Sequence, residues 1–365
     1  MYHKIDNLRS QSLDLLRFPL AIVVLANHLI GNISSDVPDN MPDLYVYSLL
    51  ENIQKAFFSG QSVPVYFFIS GVVFFLGTDF NKKTFIQKLK NRTRSLLIPY
   101  IIWNLIGLVY LLWRISLNAE TSLSVTLSEF SIARFFSAFW MFSSDPEVAG
   151  FYPADGPLWF IRDLIIVVCL APIICFAIKK TKYYFIILLG IAWFILGLDH
   201  DNWIRLWQLA HAFFFFSWGA YISICKPDMI EYFRRFFKLS IFLYLTLGVL
   251  CLIFHDKPLF SYLKSCNIIV GLFFAYNLSA GLLKKNILKV SKFLSSSSFY
   301  IYVSHTFLIG GIRRVMTIIF NPQTGYDFVI VFFASLVCIV AILLITFYLL
   351  NKYCSFGLKI LMGKK

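Results

Sequence analysis

Apolar runs of near-membrane length recur along the whole chain, and nothing else in the sequence constrains the fold as strongly. A bilayer-crossing helix needs about 20 mostly apolar residues. Ten stretches approach that length: 12–31, 58–77, 95–115, 158–178, 183–198, 206–224, 236–254, 262–283, 295–313 and 327–350. In hydrocarbon, backbone N–H and C=O groups must be paired inside the segment, so such runs form helices. Only 14% of the 365 residues are charged, against about a quarter in soluble domains. No half of the chain reads as soluble. The expectation is one membrane domain over 1–365, an all-α polytopic bundle of about ten transmembrane helices.

The net charge of +14 then bears on topology rather than on nucleic acid, for which no binding signature is present. Lys and Arg concentrate in alternate short loops. The segment NKKTFIQKLKNRTR (81–94), read as a loop, carries six of them. The positive-inside rule places both termini in the cytoplasm and leaves Lys55, Arg134, Arg205 and Lys257 outside. The segment SEFSIARFFSAFWMF (128–142) is aromatic but broken by charge. It is expected to form an interfacial helix within a long outer loop, 116–157. Trp140, Phe136, Phe142 and Tyr152 there can anchor to the interface or stack on sugars. The seven cysteines have no CxxC spacing, so neither disulfides nor a metal site is expected. The first apolar run is too long for a cleavable signal peptide.

Ionisable residues inside a membrane segment are expensive and mark function by default. The first run, LDLLRFPLAIVVLANHLI (13–30), keeps Asp14, Arg17 and His28. Eleven residues at 100° each bring Arg17 and His28 to one side of a helix, about 16 Å apart along it. Asp14 can pair with Arg17 at i, i+3, and Pro19 is expected to kink or open the helix between Arg17 and His28. The bland alternative is a snorkelling Arg17 with a structural partner, and a His28 bonded within the bundle. Taken together, the residues fit an anion held at the inner end and a general base toward the outer end. His305, in SSSSFYIYVSHTFLI, sits near mid-membrane and adds a second imidazole for proton chemistry or packing. Arg162 and Asp163 open the fourth run; as i, i+1 neighbours they are expected to have different partners. Arg313 and Arg314 end the ninth run on the outside, as holders of an external anion. His211 reads as structural. Ser70 and Ser304 are hydroxyls with no activating base visible in the sequence.

The ordered set of motifs resembles the acyltransferase family 3 membrane proteins. Arg17, ten residues, then His28 is similar to that family's first-span signature. VPVYFFISGVVFF (63–75), KLKNRTRSLLIPYIIW (88–103), GPLWFIRDLI (156–165), FFFFSWGAYI (213–222) and SSFYIYVSHTFLI (297–309) resemble its later segments. The resemblance implies transfer of an acyl group, commonly acetyl, from cytoplasmic acyl-CoA to a hydroxyl of an extracytoplasmic polysaccharide or lipid-linked sugar. By the same resemblance, His28 is the catalytic residue and Arg17 the acyl-CoA-binding one. Asp14, Ser70, Arg162, Asp163, His305, Arg313 and Arg314 are supporting or acceptor-binding. Acyl-CoA is a substrate; no resident cofactor or metal is implied. The location is the inner or plasma membrane, and the chain is expected to work by its membrane domain alone or with a partner. The competing reading is a glycan or proton-coupled transporter, for which broken spans are the signature. A sensor or anchoring module is a third.

Overall fold

The computed structural model describes residues 2–77, 80–116, 132–140, 152–198, 200–226 and 228–364. The described residues are helical and contain no strand. The helices are α1 (Tyr2–Ser34), α2 (Leu44–Ile53), α3 (Ser62–Phe75), α4 (Lys82–Arg92), α5 (Ile98–Ser116), α6 (Ile132–Ser137), α7 (Trp159–Cys169), α8 (Ala171–Thr181) and α9 (Tyr183–Leu198). They continue as α10 (His200–Cys225), α11 (Met229–Arg234), α12 (Phe237–Ile253), α13 (Leu259–Lys284), α14 (Lys292–Ser304), α15 (Thr306–Phe320), α16 (Gly325–Tyr353) and α17 (Ser355–Leu361).

Five helical runs are long and apolar enough to cross a membrane: Leu8–Ser34, Leu44–Phe75, Lys82–Arg114, Leu259–Lys284 and Gly325–Tyr353. Two bent pairs, α7 with α8 and α14 with α15, raise the number to seven if each pair is one span. The apolar helices α9 and α12 are shorter, and the sixth apolar run lies within α10. Large apolar side chains along these helices face outward, among them Leu188, Phe242, Ile318 and Val337. Such a surface suits lipid and not water. The chain is a membrane protein.

The chain forms two compact units, Met1–Ile69 with Lys226–Tyr348 and Ser70–Cys225 with Leu349–Lys365. In the first unit α1 packs against α13, α14 and α15, and α12 against α13. The buried face of α1 is apolar and tight: Leu20, Ala21, Val24, Leu25, Leu29 and Ile33. A π-helical turn, Gln54–Phe58, joins α2 toward α3. Lys264 and Asn267 of α13 and Tyr244 of α12 donate to the carbonyls of Lys55, Ala56 and Phe57 there, at 2.5, 3.0 and 2.6 Å. Side chains thus take up backbone acceptors that the π-helical turn leaves open.

In the second unit α10 packs against α9 and α7, and α17 against α5. Gly71 brings the α3 and α10 backbones together: a Cβ there would lie 2.1 Å from the Phe216 carbonyl oxygen. The helix breaks after α7 because Pro172, in the first turn of α8, has no amide to continue the ladder; the two helices meet at 63°. The basic segment read as a loop is helical. Asn81 and Thr84 cap α4 reciprocally, at 3.0 and 2.9 Å. No proline intervenes before Pro99, and a π-helical turn, Thr93–Leu97, carries the chain into α5. Of the expected interfacial helix at 128–142, only 132–140 is described, with α6 at its start. Its Ala138 packs on Leu108 and Leu111 of α5. Phe142 lies outside the described residues, as does Arg134's side chain.

Candidate functional site

Arg17 Nη1 lies 3.1 Å from Asp14 Oδ1, the i, i+3 pair that the spacing predicts. Both side chains are open, 42% and 35% exposed. An exposed pair contributes at most about 1 kcal/mol to stability. The guanidinium is therefore oriented by the carboxylate yet available to a ligand. α1 continues without a break through Pro19, so the helix is not opened there. Beside it the Tyr66 hydroxyl ties α3 to α1 by donating to the Arg17 carbonyl at 2.7 Å.

Further along α1, His28 keeps accessible surface while lying deep among neighbouring atoms, a recessed rather than an open position. Its ring centroid is 5.2 Å from that of His305, with the planes tilted by 40°. His305 is fully buried and stands where the ninth apolar run breaks, α14 and α15 meeting at 80°. No proline or glycine explains this bend. The side chain does: His305 Nδ1 lies 2.7 Å from the Tyr302 carbonyl oxygen and 3.2 Å from that of Ile301. In an uninterrupted helix the Tyr302 carbonyl serves the amide four residues on. An imidazole inserted into the ladder bends it. The Tyr302 ring in turn faces Tyr66, centroids 6.4 Å apart. Tyr66, Tyr302 and His305 thus line α1 from Arg17 to His28. The sequence places Arg17 and His28 on α1; the aromatic side chains beside them come from α3, from α14 and from the break after α14.

Above His28, Gln54 donates to Asn27 at 2.6 Å. Arg313 donates to the Asn32 carbonyl at 2.8 Å and pairs with Asp36, clasping α15 to the C-terminal end of α1. Arg314 is exposed. Ser304 gives its hydroxyl proton to the Tyr300 carbonyl at 2.5 Å.

The second unit holds the other sequence-derived residues. Ser70 is half-buried beside Gly71. Arg162 and Asp163 are buried and, against expectation, bonded to each other, Nε to Oδ1 at 2.9 Å. An arginine side chain is long enough to fold back on its neighbour, which the helical-face argument ignores. Arg205 reaches both Asp163 oxygens at 2.8 Å. Gln208 accepts from both guanidiniums at 3.3 Å, and Trp140 lies over both, 5.2 and 5.3 Å from ring centre to guanidinium carbon. Arg205 reads in the sequence as a loop charge. Its i, i+3 spacing to Gln208 is the signal that marks both as one face of a helix.

A second feature of this unit has no precedent in the sequence reading. A cavity of about 340 Å³ is lined by Lys88, Asn91, Arg92, Arg94, Ser95 and Gly363, with Val73 and Phe74. Lys88 and Arg92 sit over the Phe74 ring at 5.6 and 5.9 Å. Gly363 closes one wall at φ +61, where a Cβ would lie 2.6 Å from the Arg94 carbonyl oxygen. Charges that set orientation in the sequence thus also build a cationic pocket. His211 is buried and structural: its Nδ1 accepts from Trp193 Nε1 at 3.0 Å. Among the described residues, no three His, Cys, Asp or Glu are grouped to hold a metal.

With this geometry in place, comparison with known families is decisive at one level. The family model for an acyltransferase domain, Acyl_transf_3, matches residues 10–348. No curated protein and no solved structure matches the chain. The chain belongs to the acyltransferase 3 family, and it is a membrane acyltransferase.

Proposed function

We propose that this acyltransferase moves an acyl group, acetyl in the first instance, from cytoplasmic acyl-CoA to a hydroxyl of an extracytoplasmic polysaccharide or lipid-linked sugar. His28 is the general base. It takes the proton of the acceptor hydroxyl as the oxygen attacks the thioester carbonyl; the C–S bond breaks, an ester forms, and the thiolate leaves with a proton as free CoA. Arg17 holds a CoA phosphate by charge-assisted hydrogen bonds. The observation that carries the reading is the accessible His28 imidazole backed by a buried one, on the helix that also presents Arg17. The cationic cavity of the second unit supports a phosphate-bearing donor. The concentration of Lys and Arg in alternate segments supports ten crossings with both termini cytoplasmic, in an inner or plasma membrane.

Membrane vesicles supplied with radiolabelled acetyl-CoA test this directly. Label should pass into glycan with the native chain and not with His28→Ala at equal protein level. The transport reading has two broken helices in its favour, at 63° and 80°. It would be preferred if glycan crossed the membrane with no acyl-CoA present and no label were incorporated.

A further inference from the structure

His305 has its two ring nitrogens in unlike surroundings. Nδ1 faces the carbonyl oxygens of Tyr302 and Ile301. A carbonyl only accepts, so Nδ1 carries the hydrogen. In the neutral ring Nε2 is then a bare lone pair. It is buried and has no hydrogen-bond partner among the described residues. A buried acceptor left unmade keeps its full desolvation penalty, so a working state that pairs it is favoured. The ring beside it is that of His28, centroid to centroid 5.2 Å. No direct hydrogen bond joins the two in this structure. The separation admits one after a small ring rotation, or through a single water, and catalytic hydrogen bonds commonly tighten only when substrate binds.

We infer that His305 is a positioning residue for His28: its Nε2 accepts the N–H of one His28 nitrogen and so leaves the other nitrogen of His28 bare toward the accessible side. The inference rests on His28 being the base. The tautomer matters because a neutral imidazole has one lone pair, and only the tautomer that presents it to the acceptor hydroxyl can take the proton. The same contact stabilises the imidazolium formed in that step, since the second N–H of His28 keeps an acceptor. The helix break is what makes the arrangement possible. By taking the Tyr302 carbonyl, His305 locks its own tautomer and places its ring against α1 in one act. In a straight helix Nδ1 would have no claim on that carbonyl, and either nitrogen of His305 could carry the hydrogen.

Two measurements on the full-length protein in nanodiscs test this. The first compares His305→Phe with His305→Gln, whose amide oxygen can accept from His28. With acetyl-CoA as donor, His305→Phe should lower kcat about 10²-fold while the KM for acetyl-CoA moves less than about threefold. His305→Gln should recover at least about tenfold of that loss. Native kcat in His305→Phe would overturn the inference, as would equal loss in the two variants. The second is nitrogen NMR of histidine-labelled protein, with six histidines to assign. The native protein should show a single His28 tautomer and a hydrogen-bonded, unprotonated Nε2 on His305. Mixed His28 tautomers, or a protonated His305 Nε2, would overturn it even if both variants failed to fold. Because the NMR result needs no turnover, it also separates the outcomes: a paired His28 in a chain that transfers no acyl group would refute the proposed function and leave the pairing intact.

Discussion

Two polar clusters interrupt the apolar helices, and they are completed differently. In the second unit Arg162, Asp163, Arg205 and Gln208 bond chiefly to one another, Arg162 also donates to the Trp140 carbonyl at 2.6 Å, and the Trp140 ring lies over both guanidiniums; Arg205 Nη2 alone of these side-chain groups has no hydrogen-bond partner among the described residues. In the first unit His305 is bonded at one nitrogen only, and His28 keeps accessible surface beside it. The first arrangement is what holds helices together where charge is buried. The second leaves a lone pair and an accessible ring side by side, which is what proton transfer needs. The buried histidines repeat the contrast: Nδ1 of His211 accepts from an indole, whereas Nδ1 of His305 donates to a carbonyl. Residue type alone would have ranked these groups equally; their partners separate them.

The contrast breaks if variants in the two clusters fail in the same way. The largest expected effect is on chemistry. His28→Ala should cut acyl transfer by at least about 10³-fold with no fall in Tm, read by radiolabel incorporation and thermal melting of the same preparation. A melting loss as large as the activity loss would return His28 to a packing role. Asp163→Ala should do the reverse. It strips the carboxylate from two guanidiniums that are 3% and 15% exposed, and breaking such a buried network costs about 3–5 kcal/mol. Tm should drop sharply, and activity per folded molecule should hold.

Smaller effects sharpen the account within the first unit. Arg17→Ala should raise the KM for acyl-CoA about tenfold, in line with one charged hydrogen bond, with kcat within about threefold. An unchanged KM would remove Arg17 from donor binding. Arg314→Ala should change stability by less than about 0.5 kcal/mol and leave turnover unaltered, since it is exposed; a kinetic effect would mark this face of α15 as part of the acceptor site.

What the sequence revealed follows the reach of each interaction. The Asp14–Arg17 pair and the shared side of Arg17 and His28 depend only on helical geometry, so they could be read from spacing. The meeting of His28 with His305 could not. It joins distant parts of the chain through a helix bend that no proline or glycine announces, because the histidine side chain itself makes it. Arg205 reads as a loop charge for a related reason: its carboxylate partner, Asp163, lies on another helix. The basic segment 81–94 reads as a solvated loop because it holds six cations, yet Lys and Arg are good helix formers and the Asn81–Thr84 cap starts a helix there. The apolar runs fall largely on helix, but five to seven of the helical stretches are long and apolar enough to span, and the fourth and ninth runs each break between two helices.

The central claim is that His28 performs acyl transfer onto a surface glycan. It is tested most directly by the mass of surface glycans from cells producing the native chain or His28→Ala at matched protein levels. The account predicts an acetyl-sized increment with the native chain that disappears with His28→Ala. The same increment in both would contradict it, and would leave the paired imidazoles without a part in the chemistry.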